Sequence, residues 1–453
     1  MGVYQIFALL AAVLPARVFS ASGTVFERAA SKRGYSALLA AGALVAAFTS
    51  YVLLFDRAVV EVHPASVLAG LPLHFVNAIT KEIVHASRAD ELLVLALAEA
   101  FALGAFLFHQ GALSRRARRM TIGFVVAVLG TVALTTPATD SGDPYFYVGL
   151  ATLGAHAYTP PGTPFGGDLH AINVIWGTPM FASSYGPVWI AVSALLVAPL
   201  GTLAAKLFAF KLLGFASVLG CAYLARRLGA SRTVVAGIAC NPALYLAYVA
   251  GAHNDLFGVD LILAAMLACR RSVVLAFVLT LAASLVKPTL APVAVVAFAA
   301  VPALRLRAAL AVLLALAVSA VYALDGGLLW HALVATAGAF AHPMSPLDTV
   351  FRAALVVVAL ASTGWTVLTG RVRSQTAWAP PAFGGVALPS YSIWGLPLAL
   401  MSTPVAAVYL VTLPVLSFFQ CTALPVTGTL DVAGDAFVLA TIFVVAYRLR
   451  PRR

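Results

Sequence analysis

Charge is what this sequence has least of. Asp, Glu, Lys and Arg make up 10% of the 453 residues, while 62% are hydrophobic and the mean hydropathy is +0.99. Soluble domains carry about 25% charged residues, so a water-soluble globular domain is excluded for any long stretch of the chain, and domain counting by length does not apply. Acidic residues are scarcer still, 16 against 28 basic ones, which gives a net charge of +12. That excess does not read as a nucleic-acid surface. The arginines fall in short clusters between apolar segments, at Arg115, Arg116, Arg118 and Arg119, at Arg226, Arg227 and Arg232, at Arg270 and Arg271, at Arg305 and Arg307, and at Arg371 and Arg373. Short basic loops between spans mark the cytoplasmic side, and no aromatic–basic interleaving offers a base-stacking platform. Cysteine is rare. Cys221, Cys240, Cys269 and Cys421 form no CxxC pair, so neither a zinc site nor a disulfide framework is indicated. His156, His170, His331 and His342 lack metal-ligand spacing such as HExxH. Short-period repeats and low-complexity stretches are also missing.

What is there is a series of apolar runs. A spanning helix needs about 20 apolar residues, and the runs predict an all-α, polytopic transmembrane helix bundle of about 11–13 spans. Residues 1–33 read as an interfacial or half-inserted segment, because Pro15 and Arg17 interrupt the run and no cleavage site follows. Residues 34–453 form one membrane domain. Spans at Tyr35–Phe55, Glu91–Phe108 and Thr121–Thr136 put Asp140 and Asp143 on the extracytoplasmic side by parity. A loop of about 138–186 follows, rich in Gly, Pro and aromatics, and its aromatic content predicts short horizontal helices rather than disorder. Pro389 and Pro397 predict a broken or re-entrant run between Phe383 and Leu400.

Several polar groups converge on the outer side in this reading. Asp143 precedes Tyr145 and Tyr147, and a carboxylate among apolar rings at a membrane edge suits a general base. Asp140 shares its charge but not its setting; a solvated loop charge explains it as well. Gly251-Ala252-His253-Asn254-Asp255 forms a turn at a span junction, with Asn254 or Asp255 placed to cap the next helix and present N–H groups to an anion. Asp260, inside that helix, reads equally as a functional group or as helix–helix glue. Lys287, in a span–Pro–span corner, reads as a cation for a phosphate or as a snorkelling side chain. Tyr185-Gly186-Pro187-Val188-Trp189 is a helix start with aromatics of an interfacial belt.

Taken in order, these pieces resemble the integral-membrane GT-C glycosyltransferases. The nearest branch is the bacterial polyprenol-phosphate-mannose-dependent mannosyltransferases that build α-1,6-mannan cores. The resemblance is carried by Asp143-Pro144-Tyr145-Phe146-Tyr147, Trp176-Gly177-Thr178-Pro179, the Tyr185–Trp189 segment, Asn241-Pro242, Gly251–Asp255, Val286-Lys287-Pro288 and Tyr391-Ser392-Ile393-Trp394-Gly395. It implies a GT-C-type bundle and an extracytoplasmic site in the bacterial plasma membrane. It implies an inverting transfer of a hexose, mannose foremost, from a polyprenyl-phosphate donor to a glycan or glycolipid acceptor. No cofactor is implied, and a metal is not obligatory. Asp143 would be the catalytic base. Asp140, Tyr145, Tyr147, Trp176, Tyr185, His253, Asn254, Asp255 and Lys287 would bind substrate. Two spans more than the family pattern precede the catalytic loop, and Met180–Ser184 is not the Pro-Ala-Pro-like run of the family. On the residues alone, a transporter or flippase for lipid-linked sugar and a non-catalytic subunit of an envelope-assembly complex remain open.

Overall fold

A computed structural model describes residues 32–62, 78–136, 142–177, 180–339, 346–384 and 389–422. The N-terminal segment, Asp140, Thr178, Pro179 and the last apolar run at Ala436–Ala446 lie outside the described residues. Among those described the fold is all-α, with no strand.

The chain opens with an antiparallel pair, α1 (Lys32–Val62) and α2 (Ala78–His109), followed by α3 (Arg115–Thr135). Ser114 caps α3 by accepting the Ala117 N–H at 3.2 Å. Short elements come next, α4 (Asp143–Leu153) and α5 (His170–Trp176), then α6 (Pro187–Val197) and the long α7 (Leu203–Leu228). Gly229 ends α7 in the left-handed conformation, φ 102°. α8 (Arg232–Ala239) breaks at Asn241-Pro242 into a turn and a π-helical stretch, Tyr245–Ala250, the two halves bent by 43°. α9 (Asp255–Ala268) and α10 (Val273–Val286) form a tight hairpin, and Pro288–Ala300 continues as short helical turns. α11 (Leu304–Ala339), α12 (Pro346–Thr369) and α13 (Thr403–Thr422) complete the described bundle.

Among the described residues, five helices are long and apolar enough to cross a membrane: Arg33–Leu54, Glu91–Ala112, Arg115–Thr135, Leu203–Leu228 and Leu304–Leu324. The bent pair of α8 and Pro242–Ala250 makes a sixth if counted as one span. The sequence predicts more crossings, but several of its apolar runs form helices of 10–17 residues, among them Pro187–Val197, Val273–Val286 and Thr403–Ser417. Proline removes a helix hydrogen bond and clashes with the preceding turn, and Pro242, Pro288 and Pro292 divide apolar runs into pieces of 14 residues or fewer. The Pro389–Ala399 region is broken as expected, into a 3₁₀ stretch and one α-turn.

Helices approach closely where glycine allows it. A Cβ on Gly214 of α7 would collide with the Tyr248 carbonyl, and one on Gly395 with the Ala377 carbonyl. Asp260 settles as glue: it bonds Ser217 and Cys221 and so ties α9 to α7.

Candidate active site

The stretch around Asp143 is helical rather than a loop. Gly142 is the N-cap, Asp143 opens α4, and Pro144 sits in the first turn, where its missing N–H has no partner to lose. A carboxylate there also faces the positive end of the helix dipole. The Gly142 carbonyl accepts the N–H groups of Tyr145 (3.1 Å) and Phe146 (3.2 Å) and the indole N–H of Trp176 (2.9 Å). Trp176 also packs on Phe146, ring centroids 4.8 Å apart. It therefore braces the start of α4 from the far end of the outer segment. That segment is ordered, as its aromatics predict: Asn173 bonds both the N–H and the carbonyl of Phe165, at 2.9 and 2.7 Å.

Helical spacing brings Tyr147 back to Asp143, four residues on. The Asp143 Oδ2 accepts three hydrogen bonds, from Tyr147 Oη (3.2 Å), Tyr185 Oη (3.2 Å) and His253 Nδ1 (2.8 Å). The His253 tautomer that donates from Nδ1 satisfies this geometry. The carboxylate is thus held among polar donors, not the purely apolar rings its sequence neighbours suggest. Its side chain keeps 18% of its surface exposed, while that of His253 keeps 5%, so the group is oriented from behind and reachable from in front. Burial, then the charge of Asp143, pushes the Tyr185 phenol well above its usual range, so it remains a donor.

Under this group lies an aromatic layer. Tyr147 meets Tyr185, Trp189 and Phe210 at centroid distances of 5.2, 4.9 and 5.4 Å. Trp189 continues the layer to Phe257 at 5.9 Å, which links α4, α6, α7 and α9. Tyr145 is buried in the same apolar cluster.

His253 reaches Asp143 by a strained turn. Ala252 has φ 51°, the left-handed region that a side chain disfavours, and it is the only non-glycine there among the described residues. Asn254 stands at the N-cap of α9, but its side chain makes no capping bond, contrary to expectation. It is 1% exposed, and neither amide atom has a hydrogen-bond partner among the described residues. A buried amide without partners is costly, so a ligand or a water must complete it.

Asp255, at the first turn of α9, is fully buried. Its Oδ1 accepts from Lys287 Nζ at 2.9 Å and from the Trp394 indole at 2.8 Å. Lys287 is therefore neither a snorkelling lysine nor a lone cation: it is ion-paired. Burial alone would lower its pKa, but the charges of Asp255 and then Tyr391 outweigh burial and hold it above the ordinary lysine value. The ammonium sits over the Tyr391 ring at 4.2 Å and over the Tyr185 ring at 5.5 Å. Tyr185, bonded to Asp143 and facing Lys287, joins the Asp143–His253 and Asp255–Lys287 pairs into one site. Gly186 fixes it there. Its N–H donates to the Val286 carbonyl at 3.1 Å, and a Cβ would run into the Leu285 backbone.

Of the sequence-predicted residues, Asp143, Tyr147, Tyr185, His253, Asn254, Asp255 and Lys287 come together, with Trp176 and Tyr145 in support; Asp140 is outside the described residues. Trp394 and Tyr391 complete the site although neither is read from the sequence as a binding residue. They lie more than a hundred positions from their partners, and only their motif, Tyr391-Ser392-Ile393-Trp394, signals them. Among the described residues no three His, Cys, Asp or Glu side chains gather in a metal-ligand set.

Comparison with known proteins gives one family. The MptA/B family model, alpha-(1->6)-mannopyranosyltransferase, N-terminal domain, matches residues 94–305. No curated protein and no solved structure gives a significant match. The matched range runs from within α2 past the Lys287 corner and so contains Asp143, Tyr185, His253, Asp255 and Lys287. Residues 94–305 therefore carry the N-terminal domain of the MptA/B α-(1→6)-mannosyltransferases, which speaks for a membrane mannosyltransferase and against the transporter and non-catalytic readings.

Proposed function

We propose that the protein transfers mannose from a polyprenyl-phosphate donor to a glycan or glycolipid acceptor, with Asp143 as general base, at the extracytoplasmic face of a bacterial plasma membrane. One observation carries this reading: a partly exposed carboxylate whose Oδ2 is fixed by three donors, 2.8–3.2 Å away, beside the buried Lys287–Asp255 ion pair. A group that must take a proton in a transition state needs orientation first and access second, and Asp143 has both.

In the proposed step the acceptor oxygen attacks the anomeric carbon as its proton passes to Asp143. The bond from that carbon to the phosphate oxygen breaks, and the electron pair leaves with the lipid phosphate, inverting the centre. The Lys287 ammonium and the unpartnered Asn254 amide are the donors assigned to the departing phosphate in this reading. Lys287 acts there as half of a neutral pair, so its contribution is a directed N–H more than a net charge. A monophosphate leaves with less charge than a diphosphate, so a metal is not obligatory, and EDTA should not abolish activity.

Sidedness draws support from α7. Phe210, in the aromatic layer, and Arg226, in a basic cluster, are sixteen residues apart on this helix, or about 24 Å at 1.5 Å per residue. With the arginine end cytoplasmic by the positive-inside rule, Asp143 faces outward.

The test is transfer by the purified full chain, with labelled mannose offered on polyprenyl phosphate or on a nucleotide, and the linkage of the product determined. The reading expects an α-1,6 product from the lipid-linked donor alone. Transfer from the nucleotide sugar alone would overturn the donor assignment.

A further inference from the structure

At the other end of α7 lies a second polar feature that the transfer chemistry does not use. Arg115, Arg118 and Arg119 of α3, Arg226 of α7 and Arg232 of α8 line one concavity of about 340 Å³, with no carboxylate in its wall. Its floor is apolar, formed by Ile122 and the α8 face around Val235. Two helix N-termini open onto it. Ser114 and Ser231 each cap one N–H of α3 and α8, at 3.2 and 3.3 Å, and the remaining first-turn N–H groups add positive potential.

Orientation in the membrane requires basic residues on one side, not basic residues facing one another. Arg227 shows the ordinary arrangement. It lies outside the basin, bonds the Tyr223 hydroxyl at 2.6 Å and stacks over its own helix's ring at 5.6 Å. The five basin arginines come instead from three separate elements and line one concavity, with only Arg226 also bonding a backbone carbonyl among the described residues, that of Ala230 at 3.3 Å, so their positive potential adds up over one site an anion can enter. Guanidinium groups match phosphate oxygens in pairs of parallel hydrogen bonds. Basic pockets between membrane helices on the cytoplasmic side suit phosphate head groups, and the apolar floor beside the charges suits a ligand that carries its phosphate on a lipid.

We propose that this basin is a binding site for a phosphate-bearing anion, at the end of the bundle remote from Asp143. The phosphate comes from an anionic phospholipid head group or from a free polyphosphate, and one experiment tells these apart. Purified full chain is titrated with phosphatidylglycerol, with phosphatidylcholine as the neutral comparison, and bound lipid is counted by native mass spectrometry. Wild type should retain phosphatidylglycerol selectively. The triple variant R118Q/R119Q/R232Q should lose that selectivity, by about fivefold per guanidinium removed. R118K/R119K/R232K should keep most of it, and R227Q should behave as wild type. Should the triple variant not fold, R118Q and R232Q singly are read the same way. Displacement of the lipid by millimolar inorganic pyrophosphate would assign a free polyphosphate as a competent ligand. Selective retention that pyrophosphate does not disturb would assign the lipid head group. Equal retention by wild type and the triple variant, or a loss with R227Q as large as with the basin variants, would overturn the proposal.

Discussion

Replacing Lys287 with methionine leaves Asp255 in place without its cation. Asp255 is 0% exposed and sits 2.9 Å from the ammonium, so no water relieves the charge. Removing one partner of a buried pair costs about 3–5 kcal/mol. The Trp394 indole stays at 2.8 Å and offsets part of this, which puts Lys287→Met near the lower end, about 3 kcal/mol. Asp255→Asn keeps an oxygen for Trp394 and leaves Lys287 over the Tyr391 ring at 4.2 Å, with 10% of its side chain exposed, so its cost is smaller, about 2 kcal/mol. The double variant contains no buried charge. It should lose about 2–3 kcal/mol in all, well short of the sum of about 5, a coupling of about 2–3 kcal/mol. Reversible unfolding in detergent by a graded denaturant reads the three values. Additivity within about 0.5 kcal/mol would refute the pair as a structural unit. Transfer rates on the same proteins divide structure from chemistry. A double variant no less stable than Lys287→Met that still lacks transfer assigns the Lys287 N–H to the leaving phosphate, and one that transfers near the wild-type rate leaves only the structural role.

Three further outcomes follow from the site. Tyr185→Phe removes one of the three donors on Asp143 but keeps the ring near Lys287; at about 1.5–3 kcal/mol for a hydrogen bond to a charged group, steady-state transfer should fall about 10- to 100-fold with folding intact. Gly186→Ala should lower the thermal midpoint and the yield, since the backbone φ of −75° suits alanine but the Leu285 backbone leaves no room for its methyl; an unchanged midpoint would contradict the packing. Ala252→Gly should be tolerated at its left-handed φ, while Ala252→Val, β-branched at the same φ, should cost about 1–3 kcal/mol and displace His253, which transfer assays and unfolding together would detect.

The parts of the site that were legible in the sequence are those set by local spacing. Asp143 and Tyr147 stand four apart, and once Pro144 starts a helix that spacing alone brings the phenol to the carboxylate. The same holds for the ordered outer segment, whose aromatics have somewhere to pack. Lys287 shows the limit. Its position at a helix corner was legible, but its partner lies 32 residues away across the α9–α10 hairpin, and no local pattern reports that a lysine is already paired. Trp394 is further out, 139 residues from Asp255. The failed expectation of an Asn254 cap has a related cause. A cap is judged from residue type, whereas the Asn254 side chain is buried and makes neither a capping bond nor any other hydrogen bond among the described residues. The span count differs because apolar runs such as Pro187–Val197 and Val273–Val286 form helices of only 11 and 14 residues, and the run at 436–446 lies outside the described residues.

The measurement that bears most directly on the central claim is the turnover of Asp143→Asn at saturating lipid-linked donor and acceptor. Asparagine keeps the shape and an oxygen for the three donors but takes up no proton. Loss of a general base costs about 10²–10⁴-fold in rate, so kcat should drop by that factor while donor affinity and the unfolding midpoint stay near wild type. Turnover within a few fold of wild type would contradict the assignment of Asp143 as the base.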